Sequence, residues 1–221
     1  MHIYCLLTKN YEKMYNDFFF KSLKKINFDT ENCLHTKYIN EDGCHYDDKK
    51  EFANYMLEKI KLIIQTIENN IGKERFIYSD VDIAFYKPFE DYINKFEEEL
   101  LFQQSVPGLK LCAGFMVIKP NISNLNFFKD VIKVMNSDKN DIHDQTAIRK
   151  MIYSKNNTKK YKYLPYDKFI TGGNIVVTTN PNDEKKWILK NKDIYMHHGN
   201  YSTGDDIKYN QMKFVWEQIN K

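Results

Sequence analysis

Apolar residues in this chain fall into short continuous runs separated by longer stretches of mixed polarity, and that alternation sets the fold class. His2 to Thr8 is an apolar run stopped by polar residues, the pattern of a buried strand. Asp17 to Leu23 predicts a first helix, with Phe18-Phe19-Phe20 as core and packing residues. Phe52, Met56, Ile60, Ile63, Ile64 and Ile67 recur on one face of a long helix, which Asp47 and Asp48 can cap and Gly72 can stop. Phe76 to Ser79, Leu100 to Gln103 and Gly114 to Ile118 predict strands, the last ended by Pro120. Asn126 to Met135 and Asp144 to Tyr153 predict helices, and the β-branched Ile175 to Thr178 a further strand. Strands alternating with helices predict an α/β fold, a mixed and mostly parallel sheet covered on both faces. Ligands of such sheets sit at the carboxyl ends of the strands.

Composition narrows the function classes. The chain has 221 residues without an internal repeat or low-complexity linker, so one domain spanning 1–221 is expected. A hydrophobic content of 42% with 15% aromatics excludes a disordered chain. A formal net charge of +3 is too small for a dedicated nucleic-acid or membrane-surface binder. Arg75 and Arg149 are the only arginines among many lysines, which weakens any reading built on bidentate guanidinium–phosphate forks. No run approaches the ~18 apolar residues of a membrane span. Met1 to Leu7 has no basic segment ahead of it and is too short for a secretory signal. Cys5, Cys33, Cys44 and Cys112 are scattered, so a reduced, cytoplasmic setting is expected. Cys33, His35, Cys44 and His45 lack the paired spacing of a zinc site. Asn121, Asn156 and Asn200 begin sequons of the kind chance supplies in an Asn-rich chain.

The segment richest in chemistry is Phe76-Ile77-Tyr78-Ser79-Asp80-Val81-Asp82-Ile83. In extended chain, residues two apart point the same way, so Asp80 and Asp82 present their oxygens to one point at a strand's carboxyl end. That suits a hard divalent cation that keeps positions open for phosphate oxygens. An EF-hand is excluded, because its required Gly and Glu positions hold Phe85 and Asp91. Two phosphate chemistries remain open: a phosphatase using Asp80 as nucleophile, and a glycosyltransferase whose cation bridges a nucleotide-sugar diphosphate. The first resembles the haloacid-dehalogenase type in its D-x-D and its later Gly204-Asp205-Asp206. It departs from that type at Ala84, and in having a strand and a long helix ahead of the D-x-D.

Four blocks in order resemble the GT-A-fold nucleotide-diphospho-sugar transferases, of the glycogenin-like and galactosyl-transferring kind. They are Ser79-Asp80-Val81-Asp82 with Tyr86-Lys87-Pro88-Phe89; Cys112 to Asn121 around Ala113-Gly114-Phe115; His143-Asp144-Gln145; and His197-His198-Gly199-Asn200 followed by Gly204 and Lys208. Leu164-Pro165, Phe169 and Gly172 resemble the stretch between the last two blocks. The resemblance implies a GT-A domain that moves a hexose from a nucleotide-diphosphate sugar, with UDP favoured, to a glycan, protein or small-molecule acceptor. It also implies dependence on Mn²⁺ or Mg²⁺, and favours retention at the anomeric carbon. An inactive nucleotide-sugar-binding module is the non-enzymatic alternative.

Residue roles follow from the same resemblance. Asp80, Asp82 and His198 are the implied metal ligands, with His197 the competitor in register. Lys208 would meet the diphosphate, with Gly199, Asn200 and Gly204 beside it and Val81 between the two aspartates. Gly114 would admit the donor sugar closely. Asp144 and Gln145 would sit by the anomeric carbon and the sugar hydroxyls as catalytic residues, Asp144 also fitting a helix cap. Thr8 and Tyr11 would hold the base, and Lys59, or alternatively Lys61, would lie near the nucleotide.

Overall fold

The computed structural model describes residues 1–40, 49–106, 110–137, 142–154, 159–175, 186–202 and 204–221. The apolar run at the N-terminus is β1 (His2–Thr8), buried at every second residue. A helical passage follows as a 3₁₀ turn, α1 (Glu12–Met14), a π turn at Tyr15–Phe20 and α2 (Lys21–Lys25), so the first helix begins five residues before its predicted start at Asp17. The chain continues through β2 (Leu34–Ile39), α3 (Lys49–Asn69), β3 (Phe76–Ser79), β4 (Ile83–Phe85), the short α4 (Glu90–Ile93), β5 (Leu100–Val106) and β6 (Lys110–Ile118). Then come α5 (Ile122–Ser137), α6 (Asp144–Ile152), β7 (Tyr161–Tyr163), β8 (Phe169–Thr171), a 3₁₀ turn at Gly172–Asn174, β9 (Met196–His198) and α7 (Asp205–Asn220). The capping pair Asp47 and Asp48, like Cys44, His45, and most of the strand predicted at Ile175 to Thr178, lies outside the described residues. Ile175 itself follows the 3₁₀ turn and is not in a strand.

Two sheets form. The larger has the order β2-β1-β3-β6-β5-β7 and the smaller β4-β9-β8. In the larger sheet β1 is parallel to both β2 and β3, β6 runs antiparallel between β3 and β5, and β5 is parallel to β7. Strand periodicity divides the core. Tyr78, Leu100, Phe102, Met116 and Ile118 point to the face covered by α3, α5 and α6, where Ile60, Ile63, Ile67, Phe128 and Ile148 meet them. Ile77, Leu101, Phe115 and Val117 point to the other face, against Phe19, Leu23, Phe85 and Phe89. The sheet is therefore covered on both sides, as buried apolar runs require. Among the described residues no helix is long and apolar enough to cross a membrane.

Candidate active site

The site forms where the two sheets meet. β3 leaves the larger sheet at Ser79 and β4 joins the smaller one at Ile83, so the crossing is Asp80-Val81-Asp82. Val81 turns into the core and is 5% exposed, which leaves the two aspartates facing together. Backbone ladders bring in the other parts. Asp80 N–H donates to the Gly114 carbonyl at 2.7 Å, fixing β6 alongside. Gly199 N–H donates to the Asp82 carbonyl at 2.7 Å, and Ile83 pairs with His198 across the β4–β9 ladder. One ligand atom each from Asp80, Asp82 and His198 lies within 4.8 Å of the others. His198 Nε2 is 3.2 Å from Asp82 Oδ1 and 3.9 Å from Asp80 Oδ2. His197, its neighbour in the strand, is fully buried on the opposite side of β9 and interacts with Gln211 of α7. Burial, with the nearby His198 charge, lowers its pKa to about 3, so it is neutral.

Gln103 sets which imidazole nitrogen of His198 is free. Its amide NH₂ donates to the carbonyls of Phe169 (3.2 Å) and Ile170 (2.9 Å), so its oxygen must face His198. That oxygen is 3.0 Å from His198 Nδ1 and accepts the Nδ1 proton, which leaves Nε2 aimed at the aspartates. Gly114 lies directly beneath. A Cβ there would sit 2.8 Å from both Asp80 Oδ2 and His198 Nδ1, and closer still to Cε1. This is the reason for glycine at 114: it makes room for the imidazole.

Two lysines, Lys59 buried and Lys208 half-buried, balance the carboxylates. Lys59, 1% exposed, forms an ion pair with Asp144 Oδ2 at 2.8 Å and donates to Asp80 Oδ1 at 3.2 Å. Burial opposes its charge, but Asp144 and Asp80 together hold the ammonium pKa above its ordinary value. Lys61 instead points outward to Glu58, which separates the two candidate lysines on α3. Lys208 Nζ lies 2.9 Å from Asp82 Oδ2 and 3.0 Å from the Tyr11 hydroxyl. Burial works against the Asp82 carboxylate, yet Lys208 and His198 hold it well below the usual range. Asp144 is likewise held low by Lys59 against burial. Asp80 goes the other way: burial raises it, Lys59 opposes, and the Asp82 charge adds to the rise. With His198 neutral, three carboxylates face two ammoniums, and one negative charge remains in excess. Against the effect of burial, Asp82 raises the His198 pKa to about 10.

Above this cluster opens a cleft of about 530 Å³, within the range of small-molecule sites. Thr8, Tyr11 and Lys208 line one part of it, and Asp80, Val81, Asp82, Gly114, His198 and Asn200 its floor. Lys59, Asp144 and Gln145 line the part beside α6, where Gln145 Oε1 accepts from Ala113 N–H at 3.3 Å. Gly199 and Gly204, expected beside the diphosphate, do not line the cleft. Gly199 packs on Met212, which leaves no room for a Cβ, and Gly204 starts α7 at a φ of 88°. The Gly204-Asp205-Asp206 motif is not gathered with Asp80 either. Asp205 Oδ2 accepts from Asn10, and both acids sit in the first turn of α7. Sequence reading missed Gln103 and Cys112. Cys112 Sγ is 3.5 Å from His198 Nδ1 and 3.4 Å from Asn200 Nδ2. A buried amide on an apolar strand, and a side chain two residues before Gly114 on the same strand face, were the available signals.

Comparison with known proteins bears on the fold and the family. No curated protein matches the chain significantly. A glycosyltransferase involved in glycosylating the major capsid of PBCV-1 superposes with a TM-score of 0.62 at 14% identity, over 97% of this chain and 100% of that one. The galactosyltransferase LgtC, solved with donor and acceptor sugar analogs, gives 0.59 at 12% identity over 100% and 95%. Mouse xyloside xylosyltransferase 1 gives 0.53 at 10% identity over 92% and 98%. These likenesses establish the GT-A fold, and the profile of one family spans residues 17–212 of the sequence itself. The chain belongs to the nucleotide-diphospho-sugar transferase family.

Proposed function

We propose that this glycosyltransferase moves a hexose from a UDP-sugar to its acceptor with the help of Mn²⁺ or Mg²⁺, and with retention at the anomeric carbon. The observation that carries the reading is the convergence of Asp80, Asp82 and His198 on the floor of the cleft. Two carboxylates, one imidazole with a free Nε2 and one excess negative charge form a donor set suited to a hard or borderline divalent cation. A bound cation would supply Lewis-acid neutralisation of the leaving diphosphate. Lys208 would give a second positive charge to that diphosphate, while Tyr11 and Thr8 would hold the base. Asp144, kept ionised by Lys59, faces the developing positive charge on the sugar and is unsuited to taking a proton. Retention needs no base to activate the acceptor. Gln145 and Asn200 are left to orient sugar hydroxyls and phosphate.

We read the chain as one domain over 1–221, because both core clusters share the strands of the larger sheet. Free Cys5, Cys33 and Cys112 favour a cytoplasmic, reducing setting. The phosphatase alternative loses its acidic motif to α7, and the family does not favour it. The binding-module alternative leaves a preorganised ligand set without a use. Calorimetric titration of UDP with and without Mn²⁺, followed by a hydrolysis screen of UDP- and GDP-sugars, tests the reading. Metal-dependent UDP binding and slow turnover of a UDP-hexose are expected. UDP affinity indifferent to metal would refute the metal assignment, and binding without turnover of any donor would favour the module.

A further inference from the structure

The cleft contains one positive charge that the donor chemistry does not use. Arg149 lines it from α6, half-buried, four residues and therefore one turn beyond Gln145 on the same helix face. The other cationic groups on the cleft floor are engaged: Lys59 with Asp144 and Asp80, Lys208 with Asp82, His198 with Asp82. The Arg149 guanidinium makes no hydrogen bond or ion pair with any described residue, and only its charge reaches the Tyr163 hydroxyl. The contacts run Tyr11–Lys208–Asp82–His198–Asp80–Lys59–Asp144, and Arg149 lies on α6, the helix that begins at Asp144.

The chain's use of arginine adds weight. It meets nearly every need for positive charge with lysine and keeps arginine at two positions. Arg75 uses its planar fork fully, donating to the carbonyls of Phe96 (2.7 Å) and Ile93 (3.3 Å) and to Asn94 Oδ1 (3.5 Å). Arg149 lines the cleft, and its guanidinium bonds to none of the described residues. A guanidinium fork matches two oxygens in a plane, which a sugar hydroxyl pair satisfies poorly and a carboxylate or phosphate satisfies well.

We propose that Arg149 forms a subsite for an anionic group carried by a sugar substrate, a uronate carboxylate or a sugar phosphate. The proposal rests on the nucleotide-sugar reading of the cleft and extends it to substrate class. The anion can come from the donor's own sugar or from the acceptor, and two titration arms distinguish these. In the first, protein with Mn²⁺ is titrated with UDP-glucuronic acid and with UDP-glucose. In the second, protein saturated with Mn²⁺ and UDP is titrated with glucuronic acid, glucose 6-phosphate and glucose. Wild type, Arg149→Gln and Arg149→Lys are compared in both.

In one arm the anionic sugar is expected to bind wild type at least about tenfold more tightly than its neutral counterpart, as a charge-assisted fork implies. That advantage should vanish in Arg149→Gln and survive only in part in Arg149→Lys, which keeps the charge and loses the fork. No anionic preference in either arm, or a preference that Arg149→Gln leaves intact, overturns the proposal. Binding of UDP with Mn²⁺ in the same samples separates the two levels. If UDP binds and the preference is absent, this inference alone fails. If UDP does not bind with metal, the donor-site reading fails and takes the inference with it.

Discussion

Gly114→Ala is the smallest perturbation that tests how the cluster is held. The added methyl carbon would lie 2.8 Å from His198 Nδ1 and from Asp80 Oδ2, where ordinary contact begins at 3.4 Å. The approach to His198 Cε1 is tighter, so the imidazole must withdraw on the order of 1 Å, a displacement that can cost about a hundredfold in rate. It cannot withdraw freely, because Gln103 grips its Nδ1 and the β4–β9 ladder fixes its backbone. Overpacking of this kind costs about 1–3 kcal/mol, or roughly 2–12 °C in Tm for a chain of this length. Mn²⁺-dependent UDP affinity, measured by calorimetry, should fall by about 10- to 100-fold. The double variant Gly114→Ala/His198→Ala should lose less than the two single losses together, since the methyl then occupies the space of the lost ring and only its contact with Asp80 remains. Undiminished metal-dependent binding in Gly114→Ala, or additive losses in the double variant, would refute the account of this glycine.

Four further outcomes follow from the same geometry. Asp82→Asn should abolish Mn²⁺-dependent donor hydrolysis while the protein stays folded, and full activity would remove Asp82 from the site. His198→Ala should weaken metal–UDP binding more than His197→Ala does; the reverse order in a calorimetric comparison would place the wrong ring in the cluster. Lys59→Met strands the buried carboxylate of Asp144, so chemical denaturation should report a loss of about 3–5 kcal/mol, and a loss under 1 kcal/mol would mean the pair is not buried in solution. Cys5, whose thiol burial pushes to about 12 against its bond with Thr36, should escape iodoacetamide at pH 8 in the native protein, and labelling seen by peptide mass mapping would contradict its burial.

The elements legible in the sequence are those whose burial leaves a pattern. β1, β3, α3 and the core of β6 stand out because both-face or one-face burial imposes an apolar run or a helical stripe. β2 escaped notice because it is the edge strand of the larger sheet and is largely exposed, so no hydrophobic alternation is required of it. β4, β7, β8 and β9 have three residues each, too few for a period of two to register. They exist because partners from distant parts of the chain pair with them, and that information is not local.

The same limit governs the site. The spacing of Asp80 and Asp82 is local and is readable from sequence. The choice between His197 and His198 is not, because it depends on which face of β9 meets the aspartates once β4 pairs with it. The choice between Lys59 and Lys61 had a usable signal. Lys59 sits three residues after Met56 and four before Ile63, on the apolar stripe of α3, whereas Lys61 falls about 200° around the helix and meets Glu58 at the surface. A lysine on an apolar stripe must be buried with carboxylates, and Asp80 and Asp144 are the ones it finds. Gly114 could be read as a position without room for a side chain, but only the assembled ladders identify what fills the room. It is the imidazole of His198, held by a glutamine whose own direction is set by two backbone carbonyls, so metal-ligand geometry here is an outcome of sheet register as much as of the ligands themselves.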